Sequence, residues 1–240
     1  MSKQKQFFYK YLLYTLLCNH KKRDKYKQKF EMFKNNTLDI SEDTLNRVDI
    51  RIKGKNNKIT IKDSANIYAK IIIFGNNNTI YIDDRVSSTE KLIIAIGQEH
   101  FNFGPVYNCS VKIGKDTSFE SAVLTIKNSN SSINIGEKCM FAFNVALYHT
   151  DSHPIFDLKT NNIINKVKTM SIGNHVWLGA HVSILKNTII PNDCIIGWGS
   201  VVSGKFIQTN CIIAGNPAKI VKTGITWDAN GSKGYVQNEK

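Results

Sequence analysis

The second half of the chain repeats with a period of six residues. Starting at Ile172, it divides into IGNHVW, LGAHVS, ILKNTI, IPNDCI, IGWGSV and VSGKFI. The residues that open these units are Ile172, Leu178, Ile184, Ile190, Ile196 and Val202. A six-residue spacing does not stay on one face of an α-helix, which turns once in about 3.6 residues. The repeat therefore predicts a coil of three flat β-strand faces, with one unit on each face.

The same register extends upstream with less regularity. IGEKCM and FAFNVA follow from Ile135 and lead to Leu147. Earlier still, IRIKGKNNKITI and IIIFGNNNTIYI repeat a strand, a Gly- and Asn-rich turn and a second strand. We therefore expect irregular early turns of the same coil, with a coil domain at 48–240 and a separate appendage at 1–47.

The repeat is interrupted once. After Leu147, none of the next four register positions is aliphatic, and the register resumes at Ile172. The four positions are His153, Lys159, Asn165 and Ser171. Residues 148–171 are therefore predicted to form a loop outside the coil, and they include the titratable stretch YHTDSHPIFD. Because long loops on a rigid scaffold commonly carry function, we expect a site centred on His153.

Composition places the chain among soluble globular proteins. It has 240 residues, of which 42% are hydrophobic, which suits one domain with an appendage. The net charge of +13 is typical of nucleic-acid-binding proteins, but residues 1–36 alone hold ten basic and two acidic side chains, an excess of +8. The charge is therefore mainly a property of the appendage, and we expect no nucleic acid partner.

The appendage is predicted to form two short helices. Its apolar residues at helical spacing are Phe8, Tyr11, Leu12 and Leu16. The apolar run at 7–18 is shorter than the roughly 20 residues that span a bilayer, and no signal-peptide cleavage site follows it. The sequence favours a helical hairpin packed on the main domain with a solvated basic face, since charge runs are usually solvated. The alternative is docking of residues 1–36 on an anionic membrane or an acidic polysaccharide.

The cysteines predict a reducing compartment. There are five, an odd number without C-x-x-C spacing, so neither a disulfide framework nor a zinc site is expected. They are Cys18, Cys109, Cys139, Cys194 and Cys211. We therefore expect a cytoplasmic protein, which docking through the appendage would make peripheral at the inner membrane.

Three segments carry a resemblance to a known family. DSHPIFD, NHVWLGAHVSILKN and AGNPAKIV are similar to segments of acetyl-CoA-dependent O-acetyltransferases that modify sugars of capsules and lipopolysaccharides, including sialic acid polymers. These enzymes belong to the hexapeptide-repeat acyltransferases. The resemblance implies a mainly β fold, a left-handed parallel β-helix, and a homotrimer with active sites in the clefts between subunits. It assigns the general base to His153 and a wall beside the substrate and the pantetheine arm to Trp177.

The chemistry suits an imidazole. An ordinary imidazole, with a pKa of about 6.5, can take the proton of a sugar hydroxyl as that oxygen attacks a thioester. In these motifs no serine or cysteine stands beside a base as an activated nucleophile, so we expect direct transfer in a ternary complex and no covalent acyl-enzyme. Asp151 either orients the ring of His153 or caps a turn of the loop, and the sequence does not separate these roles.

The cofactor site is expected near the C-terminal turns of the coil. The phosphates of coenzyme A require cations and backbone donors, and Lys186, Lys205, Lys219 and Lys222 are available. By resemblance, Lys219 in GNPAK serves the phosphates, and the pantetheine groove is lined by Gly179, Ala180 and Ser203.

Two positions depart from the family pattern. Trp198 stands in GWGS where the family usually has alanine, so we expect an indole in contact with the cofactor, in an orientation that the sequence leaves open. Asn187 stands where glycine is commoner, and asparagine tolerates the left-handed backbone angles of that corner.

Metal binding is an alternative interpretation of the histidines, because some hexapeptide-repeat proteins, the gamma-class carbonic anhydrases, hold zinc through three of them. His149 and His153 lie four residues apart, and His175 and His181 lie six apart. The last two occupy the same position of successive units, where an outward polar side chain is ordinary. Spacing alone does not establish convergent ligands, and we expect no metal.

Two other functions compete with sugar O-acetylation. One is N-acetylation of an amino sugar on a nucleotide carrier, which would use the same fold and cofactor groove. The other is a solenoid without catalysis, used for assembly or glycan binding. DSHPIFD favours the O-acetylating enzymes.

Overall fold

The computed structural model describes residues 3–16, 27, 30–98 and 104–229. Its helices are α1 (Lys3–Leu16) and α2 (Glu42–Arg47), and residues 30–35 are also helical. Its strands are β1 (Thr37–Asp39), β2 (Val48–Lys53), β3 (Lys58–Ile61), β4 (Asn66–Asn76), β5 (Thr79–Ile82), β6 (Ser87–Ile96), β7 (Val106–Tyr107), β8 (Ser110–Ile113), β9 (Ser118–Phe119), β10 (Ala122–Ile126), β11 (Ser132–Ile135), β12 (Met140–Phe141), β13 (Val145–His149), β14 (Thr169–Ile172), β15 (Trp177–Leu178), β16 (Ser183–Leu185), β17 (Ile189–Ile190), β18 (Ile195–Ile196), β19 (Val201–Val202), β20 (Cys211–Gly215) and β21 (Ala218–Thr223).

The strands stack in parallel along a coil. One seven-stranded sheet has the order β1-β3-β5-β8-β11-β14-β17, and a 14-stranded sheet contains the strands of the other faces. In the first sheet Ile113 pairs with Ile135, Ile135 with Ile172, and Ile172 with Ile190. Residues of the same register position therefore lie directly above one another, as the six-residue repeat predicts.

The core runs along the axis of the coil. All six predicted register positions from Ile172 to Val202 are buried. In the first five units the compact residue four positions later is also buried, whereas Phe206 of the sixth is only partly buried. Two of the polar residues at this position each donate a hydrogen bond to the carbonyl three residues earlier. Thr188 Oγ1 donates to Leu185 O at 2.7 Å, and Ser200 Oγ donates to Gly197 O at 2.7 Å. A compact residue is needed there because the side chain must fit inside the corner.

The early turns are held by a ladder of asparagines. Asn57 Nδ2 donates to Asn36 Oδ1 at 2.9 Å, and Asn78 Nδ2 donates to Asn57 Oδ1 at 3.0 Å. Asn57 and Asn78 are buried, so the ladder satisfies polar groups that would otherwise be costly. Strands β4 and β6 are 11 and 10 residues long, longer than one repeat unit, which blurs the period in this region.

The coil begins before residue 48. β1 pairs with β3 in parallel, so residues assigned from the sequence to the appendage already form a strand of the first sheet. The sequence gives no sign of this strand because it is three residues long and has one half-buried side chain, Leu38. α1 matches the first of the two predicted helices. Much of the second, together with Cys18, lies outside the described residues.

No helix in the part of the chain that the structure describes is long and apolar enough to cross a membrane.

Candidate active site

The predicted loop leaves the coil after β13 and returns at β14. It therefore occupies residues 150–168 and is slightly shorter than the predicted range. Tyr148 pairs with Leu185 on the next turn, and residues 169–171 belong to β14. The ends differ because strand pairing depends on the backbone and continues past the last aliphatic residue.

His149 closes the base of this loop from inside the coil. It pairs with Ile126 on the preceding turn and is fully buried. Its Nε2 lies 3.2 Å from Lys168 O, at the other end of the loop, and a carbonyl can only accept, so Nε2 carries the hydrogen. Nδ1 is buried and has no hydrogen-bond partner within the described part of the chain, and burial lowers the pKa of His149. His149 is therefore a neutral structural residue.

His153 is exposed on the loop, and Asn165 fixes the backbone around it. Asn165 Nδ2 donates to His153 O at 2.9 Å and to Asp151 Oδ2 at 2.8 Å, while its Oδ1 accepts from Ile155 N at 2.8 Å. One amide thus joins three residues of the segment that carries the candidate base. This role is not evident from the sequence, in which Asn165 is only a position where the repeat fails.

Asp151 ties the loop to the next turn of the coil. Its Oδ2 lies 2.6 Å from Lys186 Nζ. Burial opposes ionisation of Asp151, but hydrogen bonds from Lys186 and Asn165 outweigh it and lower the pKa of this carboxyl. Lys186, one of the cations considered for the cofactor, is therefore engaged at the base of the loop. The orienting role of Asp151 towards the imidazole stays a prediction.

Two further side chains attach the loop to the coil. Asn187 Nδ2 donates to Lys166 O at 2.8 Å, and Asn187 Oδ1 accepts from Lys168 N at 2.7 Å. Asn187 has a φ of +60°, as its position in the corner predicts. From the preceding turn, Lys127 Nζ donates to Ser152 Oγ at 3.3 Å. The loop is thus held by the turns on both sides of it.

The outer part of the loop is a short hairpin with an apolar surface. Phe156 and Ile163 form an antiparallel bridge across it. Its exposed apolar side chains are Ile155, Phe156, Leu158, Ile163 and Ile164. The exposure of five large apolar side chains on one loop is a feature of interaction surfaces.

Trp177, the predicted wall, opens β15 and is partly covered by Trp227 from the C-terminal segment. The two rings have centroids 6.0 Å apart. Trp227 stacks on His175 at 4.3 Å, and its Nε1 donates to His175 O at 2.9 Å. His175 Nδ1 lies 2.9 Å from Asp193 Oδ1 on the next turn. Trp227 follows the last repeat and belongs to no motif, so the sequence gives no signal of its role.

His153 and Trp177 lie at different corners of the coil. The loop that carries His153 emerges between β13 and β14, whereas Trp177 opens β15, after β14. One whole face of the coil therefore separates the two corners within a single chain.

Three of the predicted cofactor residues share one corner of the coil. Gly179 and Ala180 form the corner between β15 and β16, and Trp198 lies at the same corner one turn later. A Cβ at Gly179 would lie 2.9 Å from Trp198 N, so the close approach of the two turns requires glycine there. The Trp198 side chain is 74% exposed, with its ring centroid 5.4 Å from that of His181. The indole therefore points outward beside His181.

The other predicted cofactor residues lie at the C-terminal end. Ser203 follows β19, while Lys219 and Lys222 are exposed on β21, which pairs antiparallel with β20. β20 in turn pairs with β18, so this hairpin covers the last turns of the coil. In the described residues, no three His, Cys, Asp or Glu side chains converge as metal ligands.

Known proteins are similar to this chain in fold and in sequence. No family model matches the chain. The solved structure of the polysialic acid O-acetyltransferase OatWY is 33% identical to it with a TM-score of 0.68, and the match covers 85% of this chain and 93% of that one. This chain belongs to the hexapeptide-repeat acetyltransferases. A second solved structure, of the polysialic-acid-specific acetyltransferase NeuO, is 30% identical with a TM-score of 0.65, covering 82% of this chain and 87% of that one. Because the chain belongs to this family, its coil is a left-handed β-helix.

Curated relatives of this hexapeptide-repeat chain match over a shorter stretch. The polysialic acid O-acetyltransferase of Escherichia coli O1:K1 is 33% identical over 130 residues, which is 54% of this chain and 42% of that protein. The polysialic acid O-acetyltransferase of Neisseria meningitidis is 37% identical over 120 residues, 50% of this chain and 55% of that protein. The chain thus spans about half the length of the curated relatives that it matches.

Proposed function

We propose that this protein transfers an acetyl group from acetyl-CoA to a sugar hydroxyl of a bacterial surface glycan, such as a capsule, a lipopolysaccharide or a polymer containing sialic acid. The observation that carries the proposal is the loop at 150–168, which presents His153 from a coil of the hexapeptide-repeat acetyltransferases and is attached to the turns on both sides. The names of the relatives, polysialic acid O-acetyltransferases, support a glycan acceptor.

His153 is the general base in this proposal. Its imidazole accepts the proton of the sugar hydroxyl as the hydroxyl oxygen attacks the thioester carbonyl. The tetrahedral intermediate collapses, the C–S bond breaks, and the thiolate of coenzyme A takes the proton from the imidazolium. The products are the acetyl ester and free coenzyme A, so protons and electrons balance without a further reactant.

Direct transfer is supported by the state of the thiols. Cys109, Cys139, Cys194 and Cys211 are free and buried in the coil. Burial raises the pKa of Cys139 to about 11 and that of Cys194 to about 12, so neither forms a thiolate readily at neutral pH. Both are therefore unsuited to carry an acetyl group. Free buried thiols suit a reducing compartment, which supports a cytoplasmic location with the glycan acetylated before it leaves the cell.

The active site is assembled between subunits of a homotrimer in this proposal. Two observations support it. His153 and Trp177 emerge at different corners of one chain, an arrangement that suits a site formed by the loop of one chain and the Trp177 corner of a neighbour. The loop hairpin also exposes an apolar surface suited to burial against a neighbouring copy.

Acetyl-CoA lies along the C-terminal corner in this proposal. Gly179, Ala180, Trp198 and Ser203 line the pantetheine arm, and Lys219 and Lys222 bind the phosphates. The exposed indole of Trp198 is available to cover the arm. No metal takes part in this chemistry.

The test is release of free coenzyme A thiol by the purified protein, with acetyl-CoA and a panel of acceptors. The proposal predicts thiol release with hydroxyl acceptors from surface glycans, including polysialic acid. Release with nucleotide-linked amino sugars and none with hydroxyl acceptors would replace it by N-acetylation. A protein that fails to bind acetyl-CoA in a titration would be a scaffold.

A further inference from the structure

Helix α1 exposes four large apolar side chains. Phe8, Tyr9, Leu12 and Leu13 are 38%, 57%, 40% and 49% exposed, respectively. Residues at i, i+1, i+4 and i+5 share one side of a helix, so these side chains form a continuous stripe over two turns. The ring of Phe8 lies 5.2 Å from that of Phe30, so α1 contacts the helical residues 30–35 along one edge of the stripe.

The same segment is strongly basic. Residues 1–23 contain six basic side chains and no acidic one. Lys3, Lys5 and Lys10 belong to α1 itself, on the same two to three turns as the apolar stripe. A solvated basic face, which the sequence favours, accounts for the lysines. It does not account for four large apolar side chains turned towards water.

Three classes of partner differ in how well they satisfy both features. A second copy of the chain would cover the stripe but would bring two segments of the same high positive charge together. An acidic polysaccharide would neutralise the lysines and leave the stripe in water. An anionic lipid surface takes apolar side chains into the boundary of its acyl region and attracts lysines to its headgroups.

We infer that α1 is an interfacial helix that binds the protein to an anionic membrane surface, with Tyr9, Leu12 and Leu13 inserted and the flanking lysines at the headgroups. Tyr9 suits this position because a tyrosine has an apolar ring and a polar tip. The inference does not depend on the acetyl transfer, since it concerns a helix outside the coil that carries the candidate active site.

The experiment is co-sedimentation of the full chain with vesicles of phosphatidylcholine alone or mixed with phosphatidylglycerol. We expect binding to the anionic vesicles, little to the neutral ones, and loss of binding as salt is raised. Leu13→Asp is expected to weaken binding by at least tenfold. Lys10→Gln is expected to weaken it by about fivefold.

The matched control is Ile207→Asp, which adds the same charge at an apolar residue that is 92% exposed on the coil. It is expected to bind vesicles as the wild type does. Equal binding of wild type and Leu13→Asp would overturn the inference, as would binding to polysialic acid without binding to vesicles. So would a Leu13→Asp variant that alters only the oligomeric state.

Thiol release with a soluble acceptor, measured on the same samples, separates this inference from the proposed function. Unchanged turnover with lost vesicle binding in Leu13→Asp supports a docking helix outside the active site. If the wild-type protein binds vesicles but releases no thiol, the proposed function is contradicted and the membrane inference is not.

Discussion

The coil and its loop are stabilised in different ways. The coil at 172–202 holds aliphatic side chains in register along its axis, and its register positions are all buried. In the loop at 150–168 almost every residue is exposed or half-exposed, and side-chain hydrogen bonds from Asn165, Asn187 and Lys186 hold it. Burial stabilises the first region, whereas a few polar contacts fix the geometry of the second. Stability and catalysis should therefore respond to different substitutions.

The largest effect is expected for His153→Ala in the loop. Because positioned general base catalysis typically contributes about 10² to 10⁴ in rate, turnover should fall by that factor. The Tm should stay unchanged, since His153 is exposed. Thiol release and thermal denaturation measure the two effects, with Lys159→Ala in the same loop as the control. A variant that keeps turnover close to the wild type would show that His153 is not the base.

Ile184→Ala in the coil should have the opposite profile. Ile184 is fully buried and pairs with Leu147 and Val202 on the adjoining turns. Truncation leaves a cavity and should lower the free energy of unfolding by about 2–5 kcal/mol, measured by denaturant titration. Turnover of the folded fraction should remain. The exposed Ile207→Ala should change stability by less than about 0.5 kcal/mol. A large loss of turnover without a loss of stability would contradict the claim that the coil determines stability and the loop determines catalysis.

Asn165→Ala tests whether the loop contacts position the base. The side-chain amide of Asn165 forms hydrogen bonds with Asp151, His153 and Ile155. Loss of this amide should misplace the imidazole and lower kcat by about tenfold. The KM for acetyl-CoA should be unchanged, and the Tm should fall little. Asn162→Ala, in the same loop, is the control. If the variant keeps the wild-type kcat with acceptor, Asn165 does not position the base.

The smallest effect is expected for His149→Leu, as a change in pH dependence. Burial lowers the pKa of His149 in the folded state. As the pH falls through the ordinary value of about 6.5, the unfolded chain gains a proton that the folded chain does not, so wild-type stability declines. In the variant, the slope of the unfolding free energy against pH should be smaller by the equivalent of at most one proton, measured by denaturation between pH 8 and pH 5. Identical slopes would mean that His149 does not remain neutral.

Much of the coil could be predicted from the sequence because one physical constraint repeats in every unit. Each face of the coil needs an inward aliphatic residue, and residues such as Leu178 and Ile196 meet this need at the six-residue spacing. The constraint weakens where strands are longer or shorter than a unit. It therefore blurs around β4 and misses β1, whose three residues bury little.

The site could be predicted only in part, because its motifs and its supports follow different rules. His153 stands out as a histidine in a break of the repeat. Asn165 and Trp227 act through contacts between segments far apart in the chain, at sequence separations of 14 for Asp151 with Asn165 and 52 for His175 with Trp227. Neither residue has a local pattern that separates it from an ordinary loop residue. The buried position of His149 depends on pairing with Ile126, which the apparent break in register conceals.

The most direct test of the account is co-expression of His153→Ala chains with Trp177→Ala chains, followed by thiol release with acetyl-CoA and a glycan acceptor. If each site takes its base from one chain and its wall from a neighbour, random mixing restores about a quarter of the sites, since both residues are intact in that fraction. Each variant alone should be nearly inactive, and the mixture should recover about a quarter of the wild-type rate. A mixture as inactive as its components would contradict a site shared between the loop of one chain and the coil of the next.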